Sequence, residues 1–236
     1  TDADTEGKIF LNPQSWAWLS GAADPTQTEL MLAAIEQQLH TPYGAMMLAP
    51  GYTNMVEDIG RVTQKFPGTA ENGSVYNHAS AFYIYSLYHI GKADLAFEQL
   101  IKMLPKQQDM LQRGQLPLFI PNYYRGAYYQ YPDEAGKSSQ LFNTGTVAWY
   151  YRILVEQLFG VSGCKAGLSI KPQLPSHWAK ASIQRSFRGA LFNIEYQRIT
   201  GINQQQVFVD NCLIEEQCIS DFSAGNCYQV KVNLPI

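Results

Sequence analysis

Three short clusters hold the residues best suited to chemistry. In Glu71–His78, ENGSVYNH, a carboxylate, an amide and an imidazole fall in one short run, and Gly73 between them lets the backbone approach a ligand closely. In LFNTGTVAWYYR, Asn143, Thr144, Gly145 and Thr146 stand immediately before an apolar helical pattern. Unpaired N–H groups, hydroxyls and a glycine at such a start suit an anion, phosphate above all. The third cluster, PLFIPNYYRGAYYQYP over Pro117–Pro132, surrounds Asn122 and Arg125 with tyrosines, whose faces can stack on a sugar ring while amides bond its hydroxyls. Each cluster has a plainer reading beside the chemical one. Asn72 and the Asn143–Thr144 pair can be helix caps, His78 a satisfied core histidine, and the tyrosines the rim of a core. The glycines match neither a P-loop nor a dinucleotide fingerprint, and Trp16 and Trp18 read as packing residues.

The elements that must position these clusters are mostly helical up to about residue 160. Val147, Tyr150, Tyr151, Leu154 and Leu158 recur with the spacing of one helical face, as do Ala93, Ala96, Phe97, Leu100, Ile101 and Leu104, after which Pro105 supplies a stop. A helix over Thr26–Leu39 follows the cap-and-proline pair Asp24–Pro25, and another over Ser74–Ile90 ends at Gly91. Paired helices separated by the long irregular stretches 41–73 and 105–143 suggest a helical toroid with its site in those loops. After Gly160 the period shortens. Ala190–Tyr196, Gln206–Val209 and Tyr228–Leu234 read as strands of a β unit beginning near Gly167.

Composition narrows the function classes. The chain has 236 residues, 46% hydrophobic, so it can bury a sizeable core. With 17 basic against 20 acidic residues and a net charge of −3, it offers no basic stripe for nucleic acid. No apolar run reaches membrane-span length, and TDADTEGK carries neither the basic nor the apolar part of an export signal; a cytoplasmic protein is expected. Cys164, Cys212, Cys218 and Cys227 match no zinc spacing. Buried free thiols are the expectation, with two disulfides in a secreted chain as the alternative.

Taken together, KIFLNPQSWA, GRVTQKFPGTAENGSVYNHA, NTGTVAWYYR and GLSIKPQLPSHW, in this order and spacing, resemble the C-terminal third of the cellobiose and chitobiose phosphorylase family, glycoside hydrolase family 94. The resemblance runs over essentially the whole chain. It implies a mainly α fold: the C-terminal part of an (α/α)6 barrel over 1–160, followed by a small antiparallel β domain over 161–236. It also implies inverting phosphorolysis, in which inorganic phosphate attacks the anomeric carbon of a β-linked disaccharide and yields an α-glycosyl phosphate and a free sugar. No cofactor is needed, since phosphate is the co-substrate and already an anion.

Carried over by position, the family's phosphate-binding residues fall on His78, Thr144 and Gly145, and a contact to the transferred sugar falls on Asn122, with Glu71 and Arg125 as further substrate-binding candidates. The family's proton-donating aspartate lies in a motif upstream of the matched part and is absent here. The isolated chain is therefore expected to be inactive, with the rest of the barrel supplied by a missing N-terminal part or a second chain, and the full-length protein is expected to be a homodimer. Where cellobiose-type members carry a glutamate, a tyrosine and a lysine, this sequence has Arg61, Lys65 and Ala70. Two cations four residues apart can clamp a carboxylate, so an aldonic acid acceptor, as in cellobionic acid, is expected. The alternatives are a non-catalytic carbohydrate-binding or assembly module, and a hydrolase using Asp58 and Glu71 as acid and base.

Overall fold

The computed structural model describes residues 4–106, 109, 113–114 and 119–236, so the opening Pro117–Leu118 of the third cluster lies outside the described residues. The chain forms two compact units, Thr1–Tyr150 and Tyr151–Ile236.

The first unit carries the helices α1 (Leu11–Leu19), α2 (Pro25–Gln38), α3 (Asn77–His89) and α4 (Ala93–Met103) and all but the last two residues of α5 (Thr146–Arg152). Asp24 starts α2 as the sequence suggests: its side chain accepts from the Gln27 N–H at 2.8 Å, and the Gln27 side chain accepts from the Asp24 N–H at 2.9 Å. This reciprocal cap satisfies two donors that a helix start would otherwise leave unpaired. The centre of the unit is α3, flanked by α1 and α4 and buried along Ala79, Tyr83, Ile84 and Leu87. Trp18 is 2% exposed and packs on Tyr83, whereas Trp16 is 47% exposed and lies against Phe82, so only the first is a core residue.

Between the helices run strands of two residues each: β1 (Ile9–Phe10), β2 (His40–Thr41), β3 (Gly44–Ala45), β4 (Leu48–Ala49), β5 (Val75–Tyr76), β6 (Tyr123–Tyr124) and β7 (Ser138–Ser139). The antiparallel sheet β5-β6-β7 matters most for the site, because it ties the loop before α3 to the loop between α4 and α5. It takes Val75 and Tyr76 out of the expected helix, which starts at Asn77 instead of Ser74. Asn72 is not the cap of that helix. It is wholly buried, and its amide accepts from the Tyr52 N–H and donates to the carbonyls of Tyr52 and Lys65, stapling two loops.

A seam of main chain completes the join. The Gly126 N–H donates to the Gly68 carbonyl and the Ala127 N–H to the Gly73 carbonyl, both at 2.9 Å. A Cβ at Gly126 would stand 2.0 Å from the Gly73 oxygen, so only glycine permits this approach.

The second unit continues from α5 through π-helical turns over Ile153–Leu158 into β8 (Val161–Gly163), β9 (Leu168–Ile170), β10 (Lys180–Phe187), β11 (Ala190–Ile199), β12 (Gln206–Val209), β13 (Cys212–Ile214), β14 (Cys218–Ile219) and β15 (Cys227–Pro235). The π turns change the helical register, and burial falls on Tyr150, Ile153, Val155 and Leu158, while Val147 and Tyr151 of the expected apolar face are exposed. The strands form a three-stranded sheet, β14-β9-β8, and a five-stranded sheet, β10-β11-β15-β12-β13.

The five-stranded sheet is not wholly antiparallel. β15 runs parallel to β11, from Leu191 beside Cys227 to Ile199 beside Pro235. The long connection through β12, β13 and β14 gives the chain length enough to return in the same direction. Helix and strand take 30% and 26% of the described residues, a closer balance than the helix-dominated expectation, because the second unit is built of strands beyond Leu158.

Candidate active site

His78 is the second residue of α3 and Thr144–Gly145 immediately precede α5. Far apart in sequence, they meet: Thr144 Oγ1 lies 3.1 Å from His78 Nδ1. Thr144 Oγ1 is also 3.4 Å from the Tyr76 hydroxyl and 3.5 Å from Asn122 Oδ1. The other face of the imidazole is set by Gly145, where a Cβ would stand 2.5 Å from His78 Nε2. Gly145 therefore lets the loop close over the ring, with Nδ1 held by a hydroxyl and Nε2 beside the glycine backbone.

Rings enclose the imidazole: Phe82 at 4.6 Å between centroids and Tyr76 edge-on at 5.9 Å, with Trp149 against Phe82 at 4.8 Å. Partial burial among them lowers the His78 pKa below its ordinary value, favouring the neutral imidazole. Asn122 is 2% exposed and lies beneath Thr144, its carbonyl accepting from the Asn77 N–H at 3.0 Å. Its burial places it behind Thr144 in this structure.

The second corner is made of charges. Arg61 opens a 3-10 turn, Arg61–Gln64, and lines a recess of about 510 Å³ with Val62, Gln64, Lys65 and Glu71. The Lys65 ammonium is ion-paired with Glu71 Oε2, and the Tyr123 hydroxyl donates to Glu71 Oε1 at 3.1 Å. Lys65 is thus already engaged, and Arg61 is the cation of this recess without an ion-pair partner among the described residues.

Arg125 goes elsewhere. Its guanidinium donates to Glu134 Oε2 at 2.9 Å, and Lys137 donates to the other oxygen of the same carboxylate at 2.8 Å. Glu134 is held below its ordinary pKa by Lys137 first and by Arg125 as well. Arg125 reads here as a structural member of the loop between β6 and β7.

Sequence reasoning missed the link between the corners. Tyr76 and Tyr123 stack with centroids 4.6 Å apart, Tyr76 reaching Thr144 and Tyr123 reaching Glu71. Nothing in ENGSVYNH or PNYYRG marks these two tyrosines apart from their neighbours, because the stack exists only once β5 and β6 pair. No group of three or more His, Cys, Asp or Glu among the described residues is arranged to hold a metal ion. Among the same residues no helix is long and apolar enough to cross a membrane.

Residues 1–160 match the glycosyl hydrolase 94 superfamily, catalytic domain. Over 98% of its length the chain is 51% identical to a cellobionic acid phosphorylase of Neurospora crassa, covering 30% of that protein. It is 37% identical over 99% of its length to a 3-O-beta-D-glucopyranosyl-beta-D-glucuronide phosphorylase of Paenibacillus borealis, again covering 30% of the relative. An N,N'-diacetylchitobiose phosphorylase of Vibrio proteolyticus is 29% identical over 84% of the chain and 24% of the relative. The chain thus spans less than a third of the length of these relatives. A half-buried histidine closed over by a Thr-Gly turn, beside a charged recess, accompanies a catalytic-domain match over the same residues: the chain belongs to the glycosyl hydrolase 94 superfamily.

Proposed function

We propose that this chain forms the phosphate-binding and acceptor-reading part of an inverting disaccharide phosphorylase, its first unit being the closing portion of an (α/α)6 barrel. The observation that carries the reading is the meeting of His78, Thr144 and Gly145 in one cluster. A phosphate placed there accepts from the imidazole and the Thr144 hydroxyl. Its negative charge draws a proton onto the neutral imidazole and so strengthens the contact.

Held in this way, a phosphate oxygen attacks the anomeric carbon from the face opposite the departing sugar, which converts a β linkage to an α-glycosyl phosphate. Phosphate is already a nucleophilic anion, so no residue has to deprotonate it. The departing oxygen requires a general acid, a contribution of about 10²–10⁴-fold. That acid comes from an aspartate outside these residues, and the isolated chain binds without turning over.

The acceptor is an acid sugar. Arg61 supplies a fork matched to a carboxylate, with Lys65 as a second cation that divides its charge between Glu71 and the ligand. The relatives named for an aldonic acid and a glucuronide are 51% and 37% identical, and the one named for diacetylchitobiose is 29% identical, which supports the same direction.

The test is phosphorolysis by the complete polypeptide that carries these residues, comparing cellobionic acid, cellobiose and diacetylchitobiose. Cellobionic acid is expected to be cleaved fastest. Equal or faster cleavage of the neutral sugars sinks the acceptor assignment. Calorimetric titration of the chain itself with inorganic phosphate, with His78→Ala as control, separates a phosphorylase site from a plain carbohydrate-binding module. Binding that survives the substitution sinks the phosphate assignment.

A further inference from the structure

The second unit contains a pair of thiols with no part in the site above. Cys164 follows β8 at a tight hairpin, its N–H donating to the Gly167 carbonyl at 2.9 Å, and Cys218 opens β14 opposite Ser169. The two residues are 54 positions apart, yet their sulfurs lie 3.6 Å from each other, in contact and unbonded. Cys164 is exposed and Cys218 half-buried, which corrects the expectation of buried thiols. Arg188 Nη2 donates to the Cys164 carbonyl at 3.0 Å and so holds a guanidinium close to the exposed sulfur.

Cys212 and Cys227 are exposed as well, but neither has a sulfur neighbour among the described residues; the contacts near Cys227 are amides, Asn193 Nδ2 at 3.4 Å and Gln229 Nε2 at 4.0 Å. We infer that Cys164 and Cys218 form a peroxide-reactive dithiol, Cys164 the attacking and Cys218 the resolving thiol.

The electrostatics divide the roles the same way. The Cys164 thiol is held below its ordinary pKa, first by hydrogen bonding to the Gly167 backbone, then by Cys218, with a smaller contribution from Arg188. Cys218 is pushed up, first by burial and then by the neighbouring sulfur and Glu216. An exposed thiol shifted toward its thiolate form, beside a thiol shifted toward its protonated form, is the arrangement that captures an oxidant.

In the first step the Cys164 thiolate attacks one oxygen of hydrogen peroxide, the O–O bond breaks, and a sulfenic acid and hydroxide form. In the second the Cys218 sulfur displaces the sulfenic oxygen as water and gives the disulfide. In sum, two thiols lose two electrons and two protons, and one peroxide becomes two waters. The product clips the hairpin of β8 and β9 to β14 across the three-stranded sheet.

The test is stepwise addition of hydrogen peroxide to the reduced chain, followed by alkylation, intact mass and peptide mapping without reductant. The expected result is loss of two hydrogens, a Cys164–Cys218 crosslink reversed by dithiothreitol, and Cys164 consumed about tenfold faster than Cys212 or Cys227. Cys218→Ser should stop Cys164 at a sulfenic acid that dimedone traps, and Cys164→Ser should leave Cys218 alkylatable. The inference is overturned if Cys212 or Cys227 reacts as fast as Cys164. It is equally overturned if the wild-type chain takes Cys164 to the sulfinic acid while Cys218 stays free.

Discussion

The two corners of the candidate site are built on opposite physical plans. Around His78 the groups are uncharged side chains and one imidazole whose pKa burial lowers, partly dried by Phe82, Tyr76 and Trp149 and positioned by close contact with Thr144 and Gly145. Around Arg61 the groups that matter are charged, and the Lys65 and Glu71 side chains are 41% and 43% exposed. The first corner depends on shape, where small displacements matter. The second depends on charge, which water and salt weaken but tenths of an ångström do not.

The sharpest way to break this contrast is to alter shape where charge is untouched. Gly145→Ala places a methyl on the imidazole and forces His78 aside, so phosphate affinity measured by calorimetry should fall by about 10²-fold or more. His78→Ala, which removes a charge-assisted hydrogen bond without adding bulk, should cost about 10- to 10²-fold. At the other corner Arg61→Ala should lower the preference for cellobionic acid over cellobiose, read as the ratio of kcat/KM values in the complete polypeptide, by about 10-fold or more. Lys65→Met should lower it less, because Glu71 already holds that ammonium, and should change folded stability by no more than about 1 kcal/mol.

A pH series separates the corners again. The free-site pKa of His78 is lowered, and bound phosphate raises it, so phosphate affinity should fall as pH rises through the interval between the two values. Gluconate affinity at the Arg61 corner, which has no imidazole in its lining, should not follow that pH dependence. The same lowering means that below about pH 6.5 the unfolded chain binds a proton at His78 before the folded one, so stability declines as pH drops through that range. The smallest effect should be that of Tyr76→Phe: losing the hydroxyl on Thr144 should raise the KM for phosphate about 2- to 10-fold with little change in kcat.

What the sequence made legible follows the range of the interactions involved. The start of α2 was readable because Asp24 and Pro25 act within one turn, and α4 because its apolar spacing and Pro105 are local. His78 and the Thr144–Gly145 turn were readable as chemical types, and their resemblance to a family tied them together. The Lys65–Glu71 pair was not, since it is made by a loop that bends back on itself and not by helical spacing. The Tyr76–Tyr123 stack depends on strands of two residues paired across a long stretch of chain, too short to leave an alternating pattern. The parallel pairing of β11 with β15 escaped for a related reason: alternation reports a strand but not the direction of its neighbour.

The main-chain seam at Gly68, Gly73 and Gly126 has an engineering consequence. With two loops welded backbone to backbone, the side chains at 61 and 65 hang from a plate that does not rely on them for support. The Arg61 recess, which we propose reads the acceptor, is therefore the part of this molecule most open to redesign, whereas a single methyl at position 126 would pry the weld apart and carry both corners with it.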